Sequence, residues 1–177
     1  TLRTLPVRST GPVLINELLA DNDNGDLDSK GEAEDWLELL NTSAADYDLS
    51  GHYLTDDIGE PKKWEFPANT KILAGGFLRI WCDNEPGDGP LHASFKLSDE
   101  GEEVFLIDTD ARGNLVLDGI LFARQKSDRS YGNVPDGGPH IYYLWEPSGG
   151  APVTGTGPGK VVPMDRRRTG SPGGTDL

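Results

Sequence analysis

Apolar residues in this chain come in short runs, and polar turn residues separate one run from the next. Residues 62–66 alternate polar and apolar, which places Trp64 and Phe66 on one face of a strand. No stretch shows the extended 3.6-residue periodicity of amphipathic helices. The pattern predicts strands at residues 12–19, 34–41, 52–55, 62–66, 77–82, 91–97, 104–107, 115–122 and 141–145, with turns at 47–51, 108–113, 130–132 and 136–138 among others.

The predicted strand at residues 34–41 is apolar on both faces. Leu37 and Leu39 face one side, whereas Trp36, Glu38 and Leu40 face the other. Apolar groups on both faces are typical of an interior strand. We therefore expect a β-sandwich that is organised around this strand.

Composition favours the same class. The chain has 177 residues, with 23 Gly and 13 Pro spread between the apolar runs, as antiparallel all-β proteins have. This length suits one domain, whose core is large enough to need neither a disulfide nor a structural metal. The apolar runs are too short to cross a bilayer.

The formal net charge of −14, from 30 acidic and 16 basic residues, narrows the functional classes. Nucleic-acid binding draws its affinity from neutralised phosphates, and anionic membranes attract basic surfaces. Both classes are disfavoured. The charge fits an extracellular module and a cation-binding module equally well.

Cys82 is the single cysteine and lies in an apolar predicted strand, so we expect a buried, inert thiol. An internal disulfide is excluded. The sequence starts at Thr1 without a visible signal peptide, which suggests a processed protein or a piece of a longer one.

Composition divides the chain into three parts. Residues 1–11 are a lead-in, residues 12–152 form the β-sandwich domain, and residues 153–177 are a Gly/Pro-rich basic tail or linker. The tail carries Arg166, Arg167 and Arg168 on an otherwise acidic protein. This cluster is a candidate partner-binding or self-assembly element, and the alternative is a solvated linker.

The acidic loop that follows the first strand has the spacing of a hard-cation site. Carboxylates alternate around Gly25, and calcium takes six to eight oxygen ligands. The loop departs from an EF-hand because the Gly is one place early and the closing Glu is missing. The candidate calcium ligands are Asp21, Asp23, Asp26, Asp28 and Glu32. The alternative is a solvated acidic loop.

Catalytic arrangements are less well supported. Glu17, Asp35 and Glu38 could meet on adjacent strands as a two-carboxylate site, but strand-end acids that cap turns or pair with Lys or Arg are commoner. The three histidines, His52, His92 and His140, have no carboxylate or Cys partner at a fixed spacing. A zinc site or a Ser-His-Asp arrangement could still assemble from them in space, but the sequence does not favour it. Trp36, Trp64, Trp81 and Trp145 are expected in the core, with Trp145 the best candidate for an exposed sugar-binding ring.

Nine segments, taken in order, resemble the lamin tail domain family. They are residues 13–20 (VLINELLA), 34–41 (EDWLELLN), 48–57 (DLSGHYLTDD), 63–67 (KWEFP), 72–78 (ILAGGFL), 92–98 (HASFKLS), 101–106 (GEEVFL), 130–132 (SYG) and 135–137 (PDG). The resemblance implies an immunoglobulin-like antiparallel β-sandwich without a catalytic residue set. The sequence looks like the prokaryotic branch of the family, whose members occur in secreted or surface multidomain proteins.

The sequence thus predicts a non-catalytic module that attaches to a protein or a surface glycan, in a larger protein that is secreted or displayed on a cell surface. Two alternatives stay open. One is a calcium-dependent carbohydrate-binding or adhesion module, and the other is a subunit that self-assembles through its tails, by strand addition or Arg-rich contact.

Overall fold

The computed structural model describes residues 11–144, 146–148 and 161–162. Within them the chain forms twelve strands and one 3₁₀ turn, Asp110–Arg112. The strands are β1 (Val13–Leu19), β2 (Trp36–Asn41), β3 (Tyr47–Asp48), β4 (Tyr53–Thr55), β5 (Trp64–Glu65), β6 (Lys71–Ile72), β7 (Phe77–Trp81), β8 (Glu103–Ile107), β9 (Val116–Leu121), β10 (Ser130–Asn133), β11 (Ile141–Leu144) and β12 (Val161–Val162).

The strands of the described residues form three antiparallel sheets. The first has the order β12-β11-β10-β1-β2-β7, the second has the order β5-β4-β8-β9, and β3 pairs with β6. The predicted all-β, immunoglobulin-like antiparallel sandwich is confirmed. Among these residues no helix is long and apolar enough to cross a membrane.

One apolar core fills the space between the two larger sheets. The inward side chains of β1 and β2 meet those of β4, β8 and β9, because alternate residues of each strand point to the same face. This core includes Ile15, Leu18, Leu37, Leu39, Leu54, Phe66, Ile80, Val104, Leu106 and Ile120. Trp64 and Phe66 both belong to it, as their alternation predicted.

A β-bulge in β1 changes which side chains face this core. The register with β2 shifts between Ile15 and Glu17. Strict alternation would put Ile15 and Leu18 on opposite faces, yet both lie in the core cluster. The bulge therefore turns Glu17 to the outer face of the sheet, while Asn16, at the bulge itself, is also buried.

β2 is an interior strand between β1 and β7, as predicted, and all six of its residues are buried. On its outer face the Trp36 ring lies 4.6 Å from the guanidinium of Arg79, which also lies 5.4 Å from the Trp81 ring. Trp36 is therefore buried against the outer face and takes no part in the inter-sheet core cluster.

Several segments differ from the prediction. Residues 91–97 bury Ala93, Phe95 and Leu97 in alternation, but they form only isolated bridges, Trp81 with His92 and Asp83 with Lys96. Alternating burial requires only an extended backbone, whereas a ladder requires consecutive pairs in one direction, and these two bridges are single, one parallel and one antiparallel. The predicted strand is therefore wrong.

Residues 130–132, predicted as a turn, belong to β10, which pairs with β1 and β11. Ser130 and Gly132 favour a turn locally, but backbone hydrogen bonds to a strand on each side hold this segment extended. The short β3 and β6 were not predicted, since two-residue strands carry no periodicity. β12 pairs with β11 beyond the predicted domain end at residue 152. That boundary stays a prediction.

Candidate functional site

The structure separates most of the five predicted calcium ligands. Asp21 accepts a hydrogen bond from the Ser127 hydroxyl at 2.6 Å, and Asp26 forms an ion pair with Arg79 at 2.8 Å. Asp23 is exposed, and its backbone N–H donates to Asp128. These three carboxylates belong to neither of the carboxylate and histidine groups that could hold a metal in the described part of the chain. Of the five predicted ligands, only Asp28 and Glu32 lie together in one such group, and the five-ligand arrangement stays a prediction.

Protein hydrogen bonds account for the course of the acidic loop. The buried Asn22 amide donates to the carbonyls of Asp26 at 2.9 Å and Glu34 at 2.8 Å, and its oxygen accepts the Gly25 N–H at 2.9 Å. A Cβ on Gly25 would lie 2.5 Å from that oxygen. The glycine that suggested a calcium loop therefore makes room for an asparagine.

A second anchor comes from outside the loop. The Asp128 carboxylate accepts the N–H groups of Asp23 and Asn24 at 2.9 and 2.8 Å and the Asn24 amide at 3.0 Å. These hydrogen bonds lower the pKa of Asp128, with the Asn24 backbone N–H contributing most. The spacing of acids in the loop gave no sign of Asp128, because Asp128 lies about a hundred residues from the loop.

Asp28 has the same kind of local role in its own turn. Its Oδ1 accepts the N–H groups of Lys30 and Glu32, both at 2.8 Å. The pKa of Asp28 is lowered, first by the Glu32 backbone N–H and also by the nearby His92. Gly31 supplies the left-handed conformation of this turn, at φ 88°.

Asp28 lies beside two buried residues from the segment after β7. One ligating atom from each of Asp28, Asp83 and His92 lies within 4.8 Å of the other two. His92 Nδ1 and Asp83 Oδ2 share a short hydrogen bond. Asp28 also belongs to an outer group with Glu32 and Asp88, under the same 4.8 Å limit. Asp83 was not predicted as a ligand, and His92 was considered only among three histidines that could assemble in space, since no fixed spacing joins either residue to the loop.

Asp35 lies on another side of the same loop, beside an open cleft of about 400 Å³. Burial raises the pKa of Asp35 to about 7, although the Asn22 N–H that it accepts opposes this effect. Glu34 and Asp21 raise the pKa of Asp35 further. Lys96 lies across the cleft, 3.8 Å from Glu34. Asp35 lines this cleft, and neither Glu17 nor Glu38 does.

Glu17 and Glu38 do meet, as register partners in β1 and β2. They are 1% and 0% exposed. Asn16 Nδ2 donates to Glu38 at 3.1 Å and to Asp136 at 2.9 Å, and Ser148 binds Glu17 through its N–H at 3.0 Å and its hydroxyl. The sequence favoured strand-end acids that cap turns or pair with Lys or Arg, whereas the partner of the Glu17 carboxylate here is Ser148.

Burial shifts the ionisation of both acids. It raises the pKa of Glu38 to about 7, and the hydrogen bond from Asn16 offsets the shift only in part. Burial likewise raises the pKa of Glu17. Arg79, opposite Glu38 in the ladder, lowers the pKa of Glu38 slightly.

The histidines have partners that sequence spacing could not show. His52 Nε2 lies 3.4 Å from Asp108 and 3.1 Å from the Tyr47 hydroxyl, in a buried network at the end of β8. His140 is exposed.

The tryptophans differ in their burial. Trp36 and Trp64 are buried, as predicted, whereas Trp81 is half-buried. Trp145 lies outside the described residues, and so does the cluster of Arg166, Arg167 and Arg168.

Comparison of the sequence with protein-family models agrees with the β-sandwich fold described above. The lamin tail domain model matches residues 6–120, which is more than half of the chain. A search of curated proteins found no match. The family is an immunoglobulin-like β-sandwich that generally serves as a binding or structural module, and it is not a catalytic family. The chain belongs to the lamin tail domain family.

Proposed function

We propose that this chain is a non-catalytic attachment module of the prokaryotic lamin tail type, within a larger protein that is secreted or displayed on a cell surface. Its partner is a protein or a surface glycan, and nucleic acid is disfavoured by the net charge of −14. Residues 12–152 form the module, and residues 153–177 connect it to its surroundings.

The observation that carries this proposal is the burial of Glu17 and Glu38. A two-carboxylate site must reach its substrate, and these facing carboxyls are 1% and 0% exposed. Their hydrogen bonds to Asn16 and Ser148 hold the strands and the following segment together. The burial and the hydrogen bonds of these two carboxyl groups support a structural role for them.

Two experiments test the proposal. The purified protein is assayed against nucleic-acid, phosphoester and glycan substrates, and we expect no turnover. Turnover that Glu17→Ala or Glu38→Ala abolishes would overturn the non-catalytic assignment. Fractionation of cells that express the full parent gene tests the location. We expect the protein in the secreted or surface fraction, and recovery in the cytoplasm would contradict the proposal.

A calcium-dependent adhesion or carbohydrate-binding module is the second candidate. The outer group of Asp28, Glu32 and Asp88 favours it, because these residues offer only the oxygen ligands that calcium uses. Calorimetry with calcium should then give heat for the wild type and for Asp23→Ala, and none for Glu32→Gln. No heat with the wild type would dismiss calcium.

Self-assembly through the tails is tested by sizing the protein with and without residues 153–177. A smaller species after truncation would support assembly. An unchanged monomer would count against it.

A further inference from the structure

Two loops of distant sequence position bring a histidine and two aspartates together at one end of the sandwich. Asp28 comes from the acidic loop, and Asp83 and His92 come from the segment that follows β7. Asp83 and His92 are 1% and 4% exposed. Acidic groups are common on a surface as negative as this one, but a buried imidazole grouped with two carboxylates is a different arrangement.

One carboxylate oxygen of Asp28 accepts hydrogen bonds from the protein, and the other does not. Two backbone N–H groups hold Oδ1. Oδ2 is buried and has no hydrogen-bond partner among the residues that the structure describes. A buried carboxylate oxygen without a partner is costly, and a bound cation would satisfy it.

The donor set selects the class of metal. Calcium is coordinated by oxygen, whereas zinc and related divalent ions accept imidazole nitrogen together with carboxylate oxygen. We propose that Asp28, Asp83 and His92 bind a divalent transition-metal ion of the zinc class, which joins the acidic loop to the segment after β7. Any remaining coordination position is open to water. This inference does not depend on the attachment function.

The geometry requires small movements. Zinc ligands at about 2.0–2.2 Å lie roughly 3.3–3.6 Å apart in a tetrahedral site. The three donors here lie within 4.8 Å of one another, and the hydrogen bond between His92 and Asp83 is shorter than that ligand spacing. The ion therefore replaces the proton that these two side chains share and draws the Asp28 carboxylate inward.

The test is calorimetry and thermal unfolding of chelator-treated protein with Zn²⁺, with Ca²⁺ in parallel. At a hundredfold excess over Kd we expect Zn²⁺ to raise Tm by about 5–10 °C. Asp28→Asn should weaken Zn²⁺ binding tenfold or more, and His92→Gln should do the same. Asp28 is only half-buried, so its variant keeps the test valid if the His92 variant does not fold.

Matched controls come from the same loop. Asp23→Asn removes an exposed carboxylate outside the cluster, and Glu32→Gln removes a member of the outer oxygen group alone. Both should bind Zn²⁺ within twofold of the wild type. The proposal is overturned if Zn²⁺ gives neither heat nor a Tm shift, or if Asp28→Asn binds it as the wild type does. Loss of zinc binding would leave the assays of attachment and turnover unaffected.

Discussion

Glu17 and Glu38 face each other across β1 and β2, and both carboxyls are buried on the outer face of the sheet. Asn16 at the bulge donates from one amide to Glu38 and to Asp136, which joins the two strands to the segment after β10. Ser148 closes the group by binding Glu17. Because burial removes both carboxyl groups from water, it favours their protonated form.

This pair makes stability depend on pH. The pKa of Glu38 is raised to about 7 in the folded protein, from an ordinary 4.5. The folded state thus binds more protons between these values, so the stability that protonation contributes is full below about pH 4.5 and is lost as pH rises through 7. We expect Glu38→Gln to increase the free energy of unfolding at pH 8 by about 1–3 kcal/mol and to change it little at pH 4.

Urea unfolding of both proteins from pH 4 to pH 8 measures this difference. The Asp35 carboxyl also has a pKa raised to about 7, and it lies in a different part of the molecule. The variant Asp35→Asn, which removes that carboxyl, therefore serves as a comparison over the same pH range. A difference between wild type and Glu38→Gln that does not grow with pH would contradict the prediction.

Gly132 is required by the packing of Glu17. A Cβ at this position would lie 2.8 Å from the Asn16 carbonyl oxygen and 3.0 Å from the Glu17 Cβ and Cγ. Because the nearest atom belongs to the backbone, Gly132→Ala should destabilise the protein by about 1–3 kcal/mol. Gly87→Ala is the control, since a Cβ there meets nothing within 4 Å. Equal Tm values for the two variants would disprove the steric argument.

Asn22 organises the acidic loop. Asn22→Ala removes three hydrogen bonds and leaves the Gly25 N–H and the Asp26 and Glu34 carbonyls without their partner. We expect a loss of about 1–3 kcal/mol and faster proteolysis within the loop. The comparison is Asn24→Ala, which removes one exposed side-chain bond to Asp128. Proteolysis at the same rate in both variants would show that Asn22 is not the organiser.

Cys82 should be unreactive in the folded protein. It is fully buried, and burial raises the pKa of its thiol well above 9.0. A thiol reagent at neutral pH should therefore label it only in denaturant. Stoichiometric labelling of the native protein within minutes would contradict the prediction. The burial of Cys82, predicted from its apolar surroundings, is confirmed.

The sequence by itself determined the class of fold, most strand positions and the family. Short alternating runs such as residues 62–66 encode which side chains enter the core, because the two-residue period of a strand is a local property. Apolar residues on both faces of β2 likewise predicted that it is an interior strand. These features depend on neighbours in the chain, so a linear pattern carries them.

The tertiary structure decided the site. Carboxylate spacing pointed to Asp21 through Glu32, but Asn22, Asp128, Ser127 and Arg79 separate those acids, and three of these partners are distant in sequence. The grouping of Asp28 with Asp83 and His92, and the burial of Glu17 opposite Glu38, likewise follow from strand pairing and loop packing. Contacts between distant segments set ion pairing, burial and ligand grouping, and a one-dimensional pattern cannot specify them.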